Sequence, residues 1–216
     1  MPESTGVVCP LCHGKAIGHY LSDKRRDYLR CAGCDLVFVP PKQHLSPVEE
    51  KAHYDLHEND PVDAGYRRFL SRLADPMLAC LPTGAAGLDF GAGPGPTLSR
   101  MFAEAGHPTA IYDCYYANDP SVLEKTYDFV TASEVVEHLA EPGDVLQQLW
   151  SLLRPGGWLG LMTKRVTDRE AFARWHYKND PTHISFFSRA TFEFLGERWG
   201  ASPHFPHPDV VLFRKY

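Results

Sequence analysis

Four cysteines carry the sharpest chemical signal in the sequence. Cys9 and Cys12 are separated by two residues, as are Cys31 and Cys34, with eighteen residues between the pairs. Each pair can turn two thiolates toward one tetrahedral ion, and four sulfurs close its shell, so the spacing predicts a structural zinc site with no open position for water. Gly14 and Gly33 stand where such knuckles need tight turns. A piece of this size cannot fold on a core of its own, and the ion would supply what the core lacks. His13 is a weaker alternative ligand, whereas Cys80 and Cys114 read as packing or exposed thiols.

The second signal is "LDFGAGPGP", Leu88 to Pro96, an apolar run ending in Asp89 and followed by Gly91, Gly93 and Gly95. A dinucleotide loop would place its third glycine one position later, and Pro94 and Pro96 lack the N–H groups that a phosphate cradle uses. The loop therefore suits close backbone approach to a ligand that is not a polyphosphate. Asp113 ends the next apolar run, "TAIYD", where an acid can hydrogen-bond ribose hydroxyls. A nucleoside with a cationic tail fits the pair, and S-adenosylmethionine is such a molecule.

From Gly87 to about Tyr216 the chain resembles the class I S-adenosylmethionine-dependent methyltransferases. "LDFGAGPG", Asp113, "YDFVTASEVVEHL" and "LLRPGGWLGLMT" occur in the family's order. The resemblance implies that Gly91 and Gly93 face the cofactor with Asp89 and Gly95 beside them, Asp113 meets its ribose, and Ser133 and Glu134 lie at the methyl end. It also implies S-adenosylhomocysteine as product. One departure is visible: fifteen residue steps separate Asp113 from Asp128, too few for the helix, strand and helix usual there. The sheet is expected to lack its third strand. Tyr112 to Tyr116 then either cover the adenine by stacking or are surface tyrosines.

Farther on, "WHYKNDPTHISFFS" gathers Trp175, His176, Tyr177, Asp180 and His183 ahead of Phe186 and Phe187. Similar segments close over the acceptor in related methyltransferases, which makes His183 the leading catalytic candidate, with Tyr177 and Asp180 behind it. His183 could equally tie the loop down through backbone hydrogen bonds, and the phenylalanines read as core. Glu137 and His138 fit capping or packing as well as catalysis. Tyr54, His57, Asn59 and Tyr66 are candidates for a cap across the cleft.

These residues need elements to hold them. Residues 1–40 form the ribbon, 41–82 a helical linker and cap, and 83–216 the cofactor domain. Ser46 caps a helix begun by Pro47, and Tyr66 to Leu81 recur at helical spacing with Pro76 breaking or kinking the run. Alternating strands and helices from Ala86 predict an α/β, doubly wound, mostly parallel sheet. A formal net charge of -5 argues against bulk nucleic acid as the partner. In the ribbon, Lys15, Lys24, Arg25, Arg26 and Arg30 face Glu3, Asp23, Asp27 and Asp35, and a tetrathiolate adds negative charge. No secretory signal or membrane-spanning run is read, so the expectation is a cytoplasmic enzyme that methylates a small molecule. The alternatives are RNA or protein as acceptor, or a non-catalytic module that binds nucleoside.

Overall fold

The computed structural model describes residues 6–56 and 60–216. His57 and Asn59 lie outside the described residues. The chain opens with three antiparallel strands, β1 (Ile17–Ser22), β2 (Asp27–Cys31) and β3 (Val37–Phe38). Helix α1 (Pro47–Tyr54) begins as expected: Ser46 accepts from the Glu49 amide, and the Glu49 side chain answers to the Ser46 amide. Helix α2 (Ala64–Leu78) runs through Pro76 and ends two residues later; this proline has no N–H for the carbonyl four residues back, which weakens the last turn.

Strand β4 (Gly87–Phe90), helix α3 (Thr97–Glu104), β5 (Thr109–Tyr112), β6 (Tyr127–Ser133), helix α4 (Pro142–Ser151) and β7 (Leu153–Met162) then alternate. Short helix α5 (Arg169–Arg174), strand β8 (Ser185–Phe186), helix α6 (Arg189–Trp199), β9 (His204–His207) and β10 (Val210–Arg214) complete the chain. The main sheet runs β5-β4-β6-β7-β10-β9, parallel from β5 to β7 and antiparallel beyond. Between β5 and β6 there is only a turn and one 3-10 turn at Pro120–Glu124, so β5 is an edge and the third strand is absent, as its short interval requires. The β9 hairpin was not legible; Pro206 speaks against a strand, yet an edge tolerates it.

Side-chain alternation sends each strand's residues to two layers. Phe129, Met162, Val210 and Leu212 pack under α2 and α3 with Leu70, Leu73, Met77 and Phe102. Val130, Leu159, Leu161, Val211 and Phe213 pack under α4 and α6 with Leu146, Leu149, Phe192 and Leu195. The ribbon joins this second layer through Cys9, Leu11, Leu36 and Phe38. Gly143, in the first turn of α4, admits it: a Cβ there would lie 2.3 Å from the Leu11 carbonyl, and its N–H donates to Pro10 at 3.1 Å. Strand β3 also pairs with β8, Val37 opposite Phe186. Around that pair Tyr20, Tyr28, Phe172, Tyr177 and Phe186 are buried together, each side chain contributing about 1.5–3 kcal/mol. Among the described residues no helix is long and apolar enough to cross a membrane.

Asp89, at the end of β4, is turned into the core. It is 3% exposed and accepts from Thr131 Oγ1 at 2.9 Å and the Ser99 amide at 3.2 Å. Burial pushes its carboxyl up to about 7, against hydrogen bonds that pull the other way. A carboxyl raised above its unfolded value gives stability that is present below the unfolded value and lost as pH rises through the folded one. Asp89→Asn cannot ionise, and it can still accept from the Ser99 amide through its oxygen while its NH2 donates to Thr131 Oγ1, the one bond that reverses direction. Urea unfolding is expected to show the variant gaining on the natural chain between pH 5 and pH 8, by on the order of 2–4 kcal/mol; an equal difference at both values would show that Asp89 stays charged.

Candidate active site

A cavity of about 650 Å³ opens at the carboxyl ends of β4, β5 and β6, where ligands collect in such sheets. Gly91 and Gly93 line it with φ of 73° and 63°, the left-handed region that costs a side chain energy. At Gly91 a Cβ would also meet Val135 at 2.4 Å. This close approach lets the turn after β6 sit against the glycine loop. Gly95 is buried beneath the loop, its carbonyl receiving Thr97 N–H. Neither Gly95 nor Asp89 lines the cavity; both lie buried beside it.

Asp113 lines it and organises the wall. One carboxylate oxygen accepts from the Gly93 amide at 2.9 Å, the other from the amides of Tyr115 and Tyr116. Tyr112, Cys114, Tyr115 and Tyr116 all face the cavity, and Tyr112 stacks on Phe90 with ring centres 5.3 Å apart. Helix α1 closes that end: Glu50 accepts from Tyr54 Oη at 2.7 Å and Tyr115 Oη at 3.1 Å. Burial, and then the Glu50 carboxylate, pushes the Tyr54 phenol far up. Tyr54 and Tyr66, the two expected cap residues that are described, both line the cavity, with Phe69 beside Tyr66.

Ser133, Glu134, His138, Asp180 and His183 also line the cavity, and the His138 ring meets Tyr54 edge-on with centres 5.2 Å apart. Glu134 adopts φ of 53°, an unusual state for a residue with a side chain, and such strain gathers at functional sites. Tyr177 does not line the cavity. Its hydroxyl lies behind it, bonded to Glu134 at 3.1 Å and, closer still, to Glu137, with Thr163 at 3.3 Å. One phenol thus lies between two carboxylates, with one proton for the two. Glu137 is fully buried; burial and then the neighbouring Glu134 raise its carboxyl, and burial raises Glu134.

His183 is 7% exposed, and its Nδ1 lies 2.7 Å from the Tyr177 carbonyl; His138 Nδ1 lies 3.2 Å from the Thr182 carbonyl. A carbonyl only accepts, so both Nδ1 atoms carry hydrogen and the basic nitrogen of each ring is Nε2. Asp180 Oδ2 stands 3.9 Å from His183 Nε2. Burial raises Asp180, but hydrogen bonds from Thr182 and the two nearby histidines outweigh it and hold the carboxyl below its usual range.

The ribbon reaches this wall directly. Arg26, 8% exposed, donates to the carbonyls of Lys178, Asp180, Pro181 and His183, and Lys178 pairs with Asp23. No feature of the sequence pointed to that clamp. Behind it the sulfurs of Cys9, Cys12, Cys31 and Cys34 lie within 4.8 Å of one another, with Cys9 to Cys34 at 3.4 Å and Cys12 to Cys31 at 3.5 Å. A tetrahedron of sulfurs about 2.3 Å from an ion has edges of about 3.8 Å, so the four are grouped as a metal site requires.

A family model described as a methyltransferase domain matches residues 58–202, well over half of the chain. The chain belongs to that methyltransferase family. A ubiquinone biosynthesis O-methyltransferase of Nitrobacter winogradskyi is 35% identical, the match covering 48% of this chain and 50% of that protein. A tRNA 5-carboxymethoxyuridine methyltransferase of Escherichia coli is also 35% identical, over 35% of this chain and 38% of its own length. The chain thus spans half or less of these relatives. Two solved structures share the fold at low identity. One is a 1,6-didemethyltoxoflavin-N1-methyltransferase of Burkholderia thailandensis with bound S-adenosylhomocysteine (TM-score 0.52, 15% identity, 91% of this chain and 98% of that one). The other is a magnesium protoporphyrin IX methyltransferase of Synechocystis (TM-score 0.51, 17% identity, 78% and 94%).

Proposed function

We propose that this methyltransferase moves a methyl group from S-adenosylmethionine to a small-molecule acceptor. The observation that carries the reading is the charge of the cavity: Glu50, Asp113, Glu134 and Asp180 line it, and among the described residues no lysine or arginine does. Such a wall favours a cationic ligand and repels polyphosphates. Gly91 and Gly93 would let the cofactor's backbone-facing side approach, Asp113 would receive the ribose, and the tyrosines from 112 to 116 would cover the base. Bound there, S-adenosylmethionine supplies a methyl already activated on a sulfonium. The chain contributes alignment and exclusion of water. His183 and Asp180 would hold the acceptor, with Tyr177 fixing the carboxylates behind them.

The same charge pattern disfavours RNA, whose phosphates need free cations. The ribbon's arginines are engaged: Arg26 with four carbonyls, Arg25 with that of Asn179, Arg30 with Asp35. We assign the four cysteines to one structural zinc ion on the fit of their sulfur positions. Asp113→Ala is expected to weaken S-adenosylmethionine binding about tenfold or more by calorimetry, with the melting curve little changed, because a carboxylate that organises three loop amides is lost. Methyl transfer from labelled cofactor into the small-metabolite fraction of a lysate, and not into RNA or protein, is the matching activity test. Label in RNA alone would overturn the acceptor assignment.

A further inference from the structure

The acceptor wall contains a second group of metal-type ligands, chemically unlike the four sulfurs. A carboxylate oxygen of Glu137 and one ring nitrogen each of His138 and His183 lie within 4.8 Å of one another. Among the described residues Glu137 Oε2 is buried and meets no hydrogen-bond partner at close range, and the same holds for Glu134 Oε1, three residues earlier. A buried carboxylate oxygen left unmatched is costly. Tyr177 Oη lies beside one oxygen of each carboxylate but has a single proton for the two. The two Nδ1–H groups are turned onto backbone carbonyls. A carbonyl behind an imidazole is the arrangement that orients histidine ligands and leaves Nε2 as the donor atom.

From this juxtaposition the geometry points to a divalent transition-metal site formed by Glu137, His138 and His183 at the acceptor end of the cavity. Two imidazoles and a carboxylate suit manganese, cobalt or zinc better than magnesium or calcium. Three protein ligands leave coordination positions open, unlike the closed cysteine set. Both histidines line the cavity, so an open position would face the acceptor. The site would then take an acceptor oxygen, a hydroxyl or one of a vicinal pair, and make its deprotonation easier. This inference rests on the methyl-transfer reading for the acceptor's role, not for the ion. Asp180 Oδ2, 3.9 Å from His183 Nε2, is a further oxygen beside the three ligands.

The test uses Mn²⁺, a hard ion that thiolates bind poorly, titrated into the full chain with its ribbon metal in place and followed by the electron paramagnetic signal of the free ion. The expected result is one Mn²⁺ per chain, with His138→Asn and His183→Asn each weakening binding about tenfold or more. Melting curves of both variants show whether the fold is kept, and His138, the less buried, serves if His183→Asn unfolds. No uptake by the natural chain, or uptake unchanged in a folded histidine variant, overturns the site. S-adenosylmethionine affinity is measured on the same samples. A chain that binds Mn²⁺ through these residues but not the cofactor would support the site and sink the methyl-transfer reading instead.

Discussion

Arg26→Met is expected to lower methyl transfer about 100-fold while changing S-adenosylmethionine affinity less than about threefold. The guanidinium is buried and reaches four carbonyls of the segment that carries Asp180 and His183. Methionine keeps the apolar stem and removes every donor. Each carbonyl left unmatched costs about 1–3 kcal/mol, so the segment will shift to find water or new donors. Catalysis by alignment does not tolerate that, since a misplacement of about 1 Å can cost about 10²-fold. The wall proposed to hold the cofactor, the glycine loop, Asp113 and the tyrosines, receives none of the Arg26 side-chain hydrogen bonds given above. Arg26→Lys should recover little, because one ammonium cannot reproduce the planar fork. Hydrogen exchange supplies the independent readout: amides from 178 to 184 should exchange faster in the variant. Transfer within twofold of the natural chain, with exchange unchanged, would show that the clamp is ornamental to the site.

The cofactor half of this molecule was legible because its constraints are local. Glycines with positive φ, an acid closing a strand and a too-short interval before Asp128 each act within a few residues, and the edge at β5 follows from counting. The direction of the Asp89 side chain was not legible, for an equally physical reason. Motif position says that a residue is near the loop, but which way a strand-end side chain turns is set by Thr131 and Ser99 across the layer. The acceptor half was legible only as a list of residue types. Tyr177 belongs to the same segment as His183, yet its hydroxyl is held by Glu134, Glu137 and Thr163 on other strands and turns. The ribbon's attachment was the least readable of all: Val37 opposite Phe186, and Arg26 under the carbonyls at 178 to 183, join residues about 150 apart in sequence, and nothing periodic announces such a pairing.

Stripping the metal from the ribbon is expected to abolish transfer while leaving the cofactor bound. Cys9, Cys31 and Cys34 are buried, and Leu11, Leu36 and Phe38 reach the main core only from the frame those sulfurs hold. Without an ion, four thiols must either stay protonated in contact or repel as thiolates, and neither replaces the lost bonds, which in isolated zinc modules amount to about 10–16 kcal/mol of apparent stability. Here the packing against α4 and β8 supports part of the frame, so a net loss nearer about 4 kcal/mol is expected, lowering Tm by about 10 °C for a chain of this size. Strand β8 would lose its partner β3, and Arg26 would leave the segment at 178 to 183. Chelation followed by calorimetry, melting and a transfer assay separates the consequences: one zinc released per chain, cofactor affinity within about threefold, transfer gone and restored by added zinc. A chain that loses its metal completely yet melts and turns over as before would show that the four sulfurs serve as ordinary core atoms, and that the ribbon holds the acceptor wall through its strand pairing and Arg26 without help from an ion.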